Sequence, residues 1–256
     1  MEVTIAIDRG NSSDKIFAVK SDGEVVLSRR TTDSIYVLDS ISQEYDIKGV
    51  IMSSVHSSDI ELEAFLRRRK IKLLELTHLT PMPITIIYRT PHTLGRDRIA
   101  AAVEAYCQAE ANKAIVIDAG TAITLDYVSE SGEYQGGRIS PGLSLRLKSL
   151  EVGTQCLPLV EKEGDVPELG YDTVTSIRTG VVSGVCAEIV EFVHAMESDG
   201  KNARIFLTGG DAKFIYNELS KPPYHKDIAD RIICCDNMVA LGLNRILEYN
   251  HKNENS

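Results

Sequence analysis

The sequence predicts an α/β protein made of two related domains, and three observations carry that expectation. Ile5-Ala6-Ile7-Asp8-Arg9-Gly10-Asn11-Ser12 and Ile115-Val116-Ile117-Asp118-Ala119-Gly120-Thr121-Ala122 align without a gap as apolar, x, apolar, Asp, x, Gly, polar. Each copy opens a run of strand-like segments joined by turn residues, and helical patterns follow each run. The interval between the copies is domain-sized, far longer than the roughly 20 to 50 residues of stacked repeats. A chain of 256 residues accommodates two domains of roughly 120 residues each. We expect domains over residues 1–112 and 113–256.

The elements follow in order. Residues 2–8, 15–19 and 24–30 are alternating or β-branched runs separated by turns such as Ser21-Asp22-Gly23, which predicts an antiparallel meander. An apolar run at 48–52 is the next strand, and Ser57-Ser58-Asp59 can accept from the free N–H groups that open a helix through about Arg69. A strand at 71–76 precedes Pro81, Pro83 and Pro91, whose rings remove donors, so this stretch reads as a loop with one short strand near 84–88. Asp97 opens a helix to about Asn112, with Ile99, Val103 and Tyr106 on one stripe.

The second domain restarts the pattern. Strands at 114–118, 123–128 and 134–139 form another meander, with a Ser131-Gly132 turn. Pro and Gly interrupt residues 140–175, which predicts a loop-rich or short-helical insertion. Val182, Val185, Ile189, Phe192, Val193 and Met196 then form a helical core stripe. A strand at 203–207, a helix at 211–219, a strand at 230–234 and a helix at 237–249 close the chain.

Composition excludes several classes. With 43% hydrophobic and 25% charged residues the chain is neither disordered nor fibrous. No run approaches 18 uninterrupted apolar residues and the first residues lack a signal-peptide pattern, so we expect a cytoplasmic protein without a membrane partner. The net charge of −9 disfavours nucleic-acid binding. Arg67 to Lys70 is the main basic cluster and reads as a helix end, where cations are stabilised, or as a solvated face, with phosphate binding the lesser alternative. Five cysteines with no C-x-x-C pair predict neither a disulfide framework nor a zinc site; Cys107 and Cys186 read as buried small hydrophobes. The six histidines show no metal-ligand spacing.

The duplicated Asp-x-Gly carries the chemistry. A strand ending in Asp places a carboxylate at its tip, and the following Gly lets main chain approach a ligand. Turn N–H groups and neighbouring Asn or Ser/Thr side chains then hold phosphate. Two such hairpins would clamp a polyphosphate and its Mg²⁺; the plainer reading is two hairpin turns. Neither a P-loop nor a G-x-G-x-x-G occurs. Phe206-Leu207-Thr208-Gly209-Gly210 could seat a nucleotide at a helix start, or be a simple strand-to-helix turn. In Tyr88 to Arg98, Asp97 stands between Arg96 and Arg98, either as the helix cap or as a base beside an anion-holding Arg.

Taken together these motifs resemble the type III pantothenate kinases, members of the acetate and sugar kinase, actin and heat-shock chaperone superfamily. The resemblance spans nearly the whole chain. It rests on Asp8 to Lys15, Gly95-Arg96-Asp97-Arg98, Asp118 to Ala122, Gly136-Gly137-Arg138-Ile139-Ser140-Pro141-Gly142 and Thr208-Gly209-Gly210, in that order and spacing. It implies two actin-like (ribonuclease H-like) domains, each a mixed five-stranded sheet flanked by helices, with an ATP cleft between them. The implied reaction is ATP-dependent phosphorylation of pantothenate to 4′-phosphopantothenate, the first step of coenzyme A synthesis. The alternatives are a kinase of the same superfamily with another acceptor, or a catalytically silent regulatory relative.

The resemblance also implies roles. Asp97 would be the catalytic base. Tyr88, Gly95, Arg96, Arg98 and Thr173 would hold pantothenate. Asp8, Arg9, Gly10, Asn11, Ser12, Ser13, Asp14, Lys15, Gly120, Thr121, Gly209 and Gly210 would bind ATP, with Asp8 near Mg²⁺. Asp118 would sit at a monovalent cation site for K⁺ or NH₄⁺. A homodimer is implied, with the pantothenate pocket at the subunit contact. Three residues depart from the family pattern: Arg9 replaces a small apolar residue, Ser12 a Thr, and Asp172 an Asn. By strand alternation Arg9 points away from Asp8, so we expect a changed packing or surface contact there rather than lost phosphate binding. Asp172 would add an acid near the substrate loop.

Overall fold

The computed structural model describes residues 1–10, 13–54, 59–110, 112–221 and 226–254. By Cα proximity the chain divides into two units: unit 1 is 1–110, 132–134 and 237–256, and unit 2 is 111–131 and 135–236. Relative to a boundary at 112/113, this division assigns the closing helix and a short piece of one strand to unit 1.

Unit 1 begins as the meander read from the sequence. β1 (Glu2–Arg9) pairs antiparallel with β2 (Asp14–Val19), which pairs antiparallel with β3 (Val25–Thr31). After α1 (Ser34–Glu44), β4 (Asp46–Ser54) lies parallel to the other edge of β1. After α2 (Ile60–Arg68), β5 (Leu73–Glu75) lies parallel to β4. The order is therefore β3-β2-β1-β4-β5, a mixed five-stranded sheet. Val3, Ile5 and Ile7 on β1 pack with Ile16, Val50 and Met52 and with Leu38 and Leu62 from the helices. Alternation along β1 selects that face.

Helix α1 is absent from the sequence reading. Its signals are modest: Asp33 caps it by accepting from the Tyr36 N–H at 2.9 Å, and Val37, Leu38 and Ile41 form a buried stripe. Helix α2 starts as expected, with Asp59 accepting from the Leu62 N–H at 3.0 Å; Ser57 and Ser58 lie outside the described residues. The basic cluster does end a helix: Arg67 and Arg68 lie in the last turn of α2, and the Arg69 guanidinium lies 3.9 Å from the Phe65 ring centre.

The proline-rich stretch holds a two-residue strand, β6 (Thr85–Ile86), and a single 3-10 turn at Pro91–Thr93. Helix α3 (Arg96–Ala109) follows. Asp97 is not its cap. Gly95 occupies that position, and Asp97 lies in the first turn.

Unit 2 repeats the plan. β7 (Ala114–Ala119) pairs antiparallel with β8 (Ala122–Val128), and β9 (Glu133–Pro141) neighbours β8. Then come α4 (Leu143–Gly153), inside the stretch read as loop-rich or short-helical, and α5 (Thr173–Met196). β10 (Arg204–Thr208) lies parallel to β7. After α6 (Ala212–Leu219) and the four-residue α7 (Lys226–Ala229), β11 (Ile232–Cys234) lies parallel to β10. The order β9-β8-β7-β10-β11 reproduces that of the first sheet. β6 adds a short parallel pairing to Glu133 and Tyr134 at the start of β9, and those two residues cluster with unit 1.

Helix α5 carries the expected core stripe: Val182, Val185, Ile189, Phe192 and Val193 pack with Ile115, Ile117, Ile205 and Leu207 of the sheet. It is long and apolar enough to cross a bilayer, but this stripe is the core of unit 2. Cys186 is fully buried there, and burial pushes its thiol up to about 12. Cys107 is half-buried rather than buried, and all five cysteines are free.

Helix α8 (Met238–Glu254) returns to unit 1. It is the counterpart of α3, since each follows the fifth strand of its sheet. The two pack so closely that a Cβ on Gly242 would lie 1.8 Å from the Ala100 carbonyl oxygen. Arg245 of α8 donates to the buried Glu104 of α3 at 3.2 Å, and Asn244 meets Thr4 of β1. Glu104 in turn accepts from Gln108 at 2.8 Å, so the buried carboxylate is paired on two sides.

Candidate functional site

In unit 1 the candidate residues gather at one end of the sheet. Asp8 lies near the tip of β1, opposite Lys15 on β2 and Ser53 on β4. Ser53 Oγ donates to Asp8 Oδ1 at 3.1 Å. Burial raises the Asp8 carboxyl above its ordinary 3.8, the Ser53 bond opposes this, and the charge of Asp97 adds to the rise. Two acids 89 positions apart in the sequence are thus close enough to feel one another. Asp14 pushes the same way and Lys15 the other.

Asp97 is exposed in the first turn of α3, where a carboxylate suits the helix N-terminus. Its Oδ1 accepts from the Arg98 N–H at 2.9 Å and lies 2.5 Å from where a Cβ on Gly95 would stand. Gly95 therefore leaves room for the carboxylate to turn back over the helix start. Arg98 is buried, Arg96 is half-buried, and Tyr88 packs edge-on against Tyr134 with ring centres 6.1 Å apart.

Arg9 does make the packing contact expected of it. Its guanidinium is taken up by Asp14, with Nη2 to Oδ2 at 3.0 Å, and by Asp59, with Nη2 to Oδ2 at 2.9 Å. Gly10 N–H donates to the Ser13 carbonyl at 3.2 Å, and Arg30 reaches Ser13 Oγ at 3.3 Å. Asn11 and Ser12 lie outside the described residues.

Unit 2 brings together two motifs that are far apart in sequence. β7 and β10 run in parallel register with Asp118 opposite Thr208, so both Gly-containing turns leave the same sheet end. Gly209 has φ +98°, and a Cβ there would lie 2.4 Å from the Ala119 carbonyl oxygen and 2.5 Å from Asp118 Oδ1. Only glycine fits that backbone and that approach. Asp211 N–H donates to Ala119 at 2.9 Å, Gly120 N–H to Ala122 at 3.0 Å, and Gly142 N–H to Thr121 at 2.9 Å. Gly209, Gly210 and Thr121 are exposed and Asp118 is half-buried.

Thr173 is placed differently, as the exposed first residue of α5. Asp172 has a local role. Its carboxylate accepts from the Thr175 N–H at 2.7 Å while Thr175 Oγ1 accepts from the Asp172 N–H at 3.1 Å, a reciprocal cap. Those bonds from Thr175 hold its carboxyl below the ordinary range.

Sequence reasoning missed Ser53, Asp59 as a partner of Arg9, and Lys162, which pairs with Asp211 beside the Gly209 turn. Ser53 had a signal. β4 stands to β1 as β10 stands to β7, so its last residues correspond to Thr208 at the other tip. The remaining two depend on loop placement, for which no sequence pattern exists. Among the described residues no group of three or more His, Cys, Asp or Glu side chains is set to hold a metal.

The chain is similar to known proteins along nearly its whole length. Residues 4–195 match the family model described as type III pantothenate kinase. The type III pantothenate kinase of Phocaeicola vulgatus is 38% identical over 252 residues, covering 98% of this chain and 100% of that protein. Among solved structures, a Baf family transcriptional activator from Campylobacter jejuni superposes with a TM-score of 0.60 at 22% identity, covering 97% of this chain and 99% of that one. An N-acetylmannosamine kinase from Listeria monocytogenes gives 0.51 at 12% identity, covering 98% and 99%. At those identities the structures speak for the fold alone, that of the actin-like and sugar-kinase proteins.

Proposed function

This chain belongs to the type III pantothenate kinase family, whose reaction is the ATP-dependent phosphorylation of pantothenate at the start of coenzyme A synthesis, and we propose that Asp97 takes the proton from the pantothenate hydroxyl. The observation that carries this reading is the pairing of Asp97 with Asp8. One carboxylate is exposed at a helix start and the other is desolvated at a strand tip, close enough to interact. Different environments for two acids suit different duties. Phosphoryl transfer asks the protein chiefly to position groups and offset charge.

The other roles follow. Asp8, with the described turn residues Gly10 and Ser13 and the neighbouring Lys15, would receive the triphosphate. Mg²⁺ suits the donor set, because it is held by one or two carboxylates plus substrate phosphates rather than by a protein cage, and the half-buried Asp8 carboxylate gains from a cation. When bound, that ion offsets phosphate charge. Gly120, Thr121, Gly209 and Gly210 would meet the nucleotide, and the half-buried Asp118 would take K⁺ or NH₄⁺. Tyr88, Gly95, Arg96, Arg98 and Thr173 would hold pantothenate. Arg98, fixed by burial, suits a fixed orientation of an anionic substrate. A homodimer belongs to the same reading. A cytoplasmic enzyme without nucleic-acid or membrane partners accords with the net charge of −9.

The test is phosphorylation of pantothenate by the purified protein with ATP and Mg²⁺, run with and without K⁺ and against other small alcohols and carboxylates. Turnover of pantothenate that rises with K⁺ supports the reading. Preference for another acceptor would overturn the substrate, and no dependence on a monovalent cation would overturn the Asp118 role.

A substitution separates the duty of Asp8 from its cost. Because its folded-state pKa is raised, the folded protein binds more protons than the unfolded chain above pH 3.8, so stability falls as pH rises through the raised value. Above that value the penalty is fully present. Asp8→Asn keeps an acceptor for Ser53 and removes the charge. The expected result is a higher Tm than the parent at pH 7 without nucleotide, together with loss of the Tm increment that Mg²⁺ and ATP give the parent. Thermal melts with and without Mg²⁺ and ATP check both halves.

A further inference from the structure

The tip of the first sheet concentrates negative charge where, on the kinase reading, a triphosphate must dock. Asp14 and Asp97 both act on Asp8 there, and Asp59 stands at the adjacent start of α2. One guanidinium answers two of these acids. Arg9 Nε and Nη2 meet Asp14 Oδ2 at 3.2 and 3.0 Å, and Nη2 also meets Asp59 Oδ2 at 2.9 Å. Arg9 and Asp14 side chains are each 13% exposed.

The contact also joins several elements. Arg9 and Asp14 face each other on the last rung of the β1–β2 hairpin, one step before the turn whose ends are Gly10 and Ser13. Asp59 is the cap of α2. Asp14 accepts in addition from Ser34 Oγ at 2.5 Å, the first residue of α1. Arg9 therefore ties the base of the Asp8 turn to the beginnings of α1 and α2. A planar fork can serve two carboxylates in fixed directions, which a Lys ammonium cannot reproduce.

We propose that Arg9 is a positioning residue for nucleotide binding: it fixes the Asp8-Arg9-Gly10 tip against α1 and α2 and offsets part of the negative charge of Asp14 and Asp59 beside the incoming triphosphate. It acts through Asp14 and Asp59, not by touching the substrate. The role deepens the kinase reading and rests on it for the identity of the ligand.

The experiment compares the parent with Arg9→Lys and Asp59→Asn. Binding of ADP with Mg²⁺ is measured by calorimetry, KM for ATP and for pantothenate by steady-state assay, and Tm by thermal melts. Arg9→Lys is expected to weaken ADP binding and raise KM for ATP by about 10-fold to 100-fold, the size of a misplaced binding group, while KM for pantothenate stays at the parent value. Asp59→Asn keeps the α2 cap, because Asn caps as well as Asp, and is expected to shift both in the same direction by less. An Arg9→Lys protein that stays folded and binds ADP like the parent overturns the role. So does a parallel rise in both KM values, or a drop in Tm with no change in nucleotide affinity. Failure of the parent to phosphorylate pantothenate would overturn the kinase reading instead, while the ADP affinities would still decide the part played by Arg9. A parent that binds no ADP overturns both.

Discussion

Asp97→Asn is expected to lower kcat by about 10² to 10⁴-fold, the usual contribution of a positioned base, while the protein melts near the parent temperature. The structure gives reasons for both halves. The carboxylate is exposed in the first turn of α3, so no buried partner is stranded by the change. Asn retains an oxygen that can accept from the Arg98 N–H, as Asp97 Oδ1 does at 2.9 Å. It forfeits a favourable charge at a helix N-terminus, a matter of about 0.3–1 kcal/mol, and it relieves the repulsion of Asp8 by Asp97. These opposing small terms leave the fold in place, and only the proton acceptor is lost. Single-turnover rates with saturating ATP and pantothenate, read beside a thermal melt, provide the check. A variant with parent-like kcat would remove Asp97 from the chemistry, and KM for pantothenate rising alone would make it a binding group.

Gly242→Ala is expected to destabilise unit 1 more than any conservative exchange on its surface. Alanine is the better helix former by about 1 kcal/mol, so the local term favours the substitution. The tertiary term opposes it. The new methyl would stand 1.8 Å from the Ala100 carbonyl oxygen and 2.5 Å from its carbonyl carbon. Both are main-chain atoms and cannot rotate away, so α3 and α8 must separate. Overpacking typically costs about 1–3 kcal/mol and occasionally more, and separation also strains the contact of Arg245 with the buried Glu104. The net expected result is a lower Tm, read by thermal or urea unfolding. A parent-like Tm would mean that the helix pair yields readily. Because α3 carries Asp97, a loss of kcat that exceeds the loss of folded protein is expected to accompany the change.

The sequence legibly marked those parts of the molecule where local pattern and fold agree. Alternation located the strands of both meanders, and helical spacing located the core stripe of α5, because periods near two and 3.6 are set by the backbone itself. Helix α1 escaped because an apolar stripe of three residues behind Asp33 is short against the noise of any sequence. Asp97 was open between cap and base. The structure put Gly95 at the cap and Asp97 in the first turn, where its carboxylate accepts from the Arg98 N–H.

The amino-acid order alone determined the duplication, the two Asp-x-Gly strand ends and, through its motifs, the kinase family to which the chain belongs. Tertiary structure alone decided that Ser53 supports Asp8, that Gly209 lies against Asp118, that Arg9 is spent on Asp14 and Asp59, and that α8 returns to the first unit. The physical reason is one of range. Strand and turn preferences are written in neighbouring residues, whereas contacts made by parallel strands and returning helices join residues tens or hundreds of positions apart, and their partners are chosen by sheet register and close packing rather than by any local pattern.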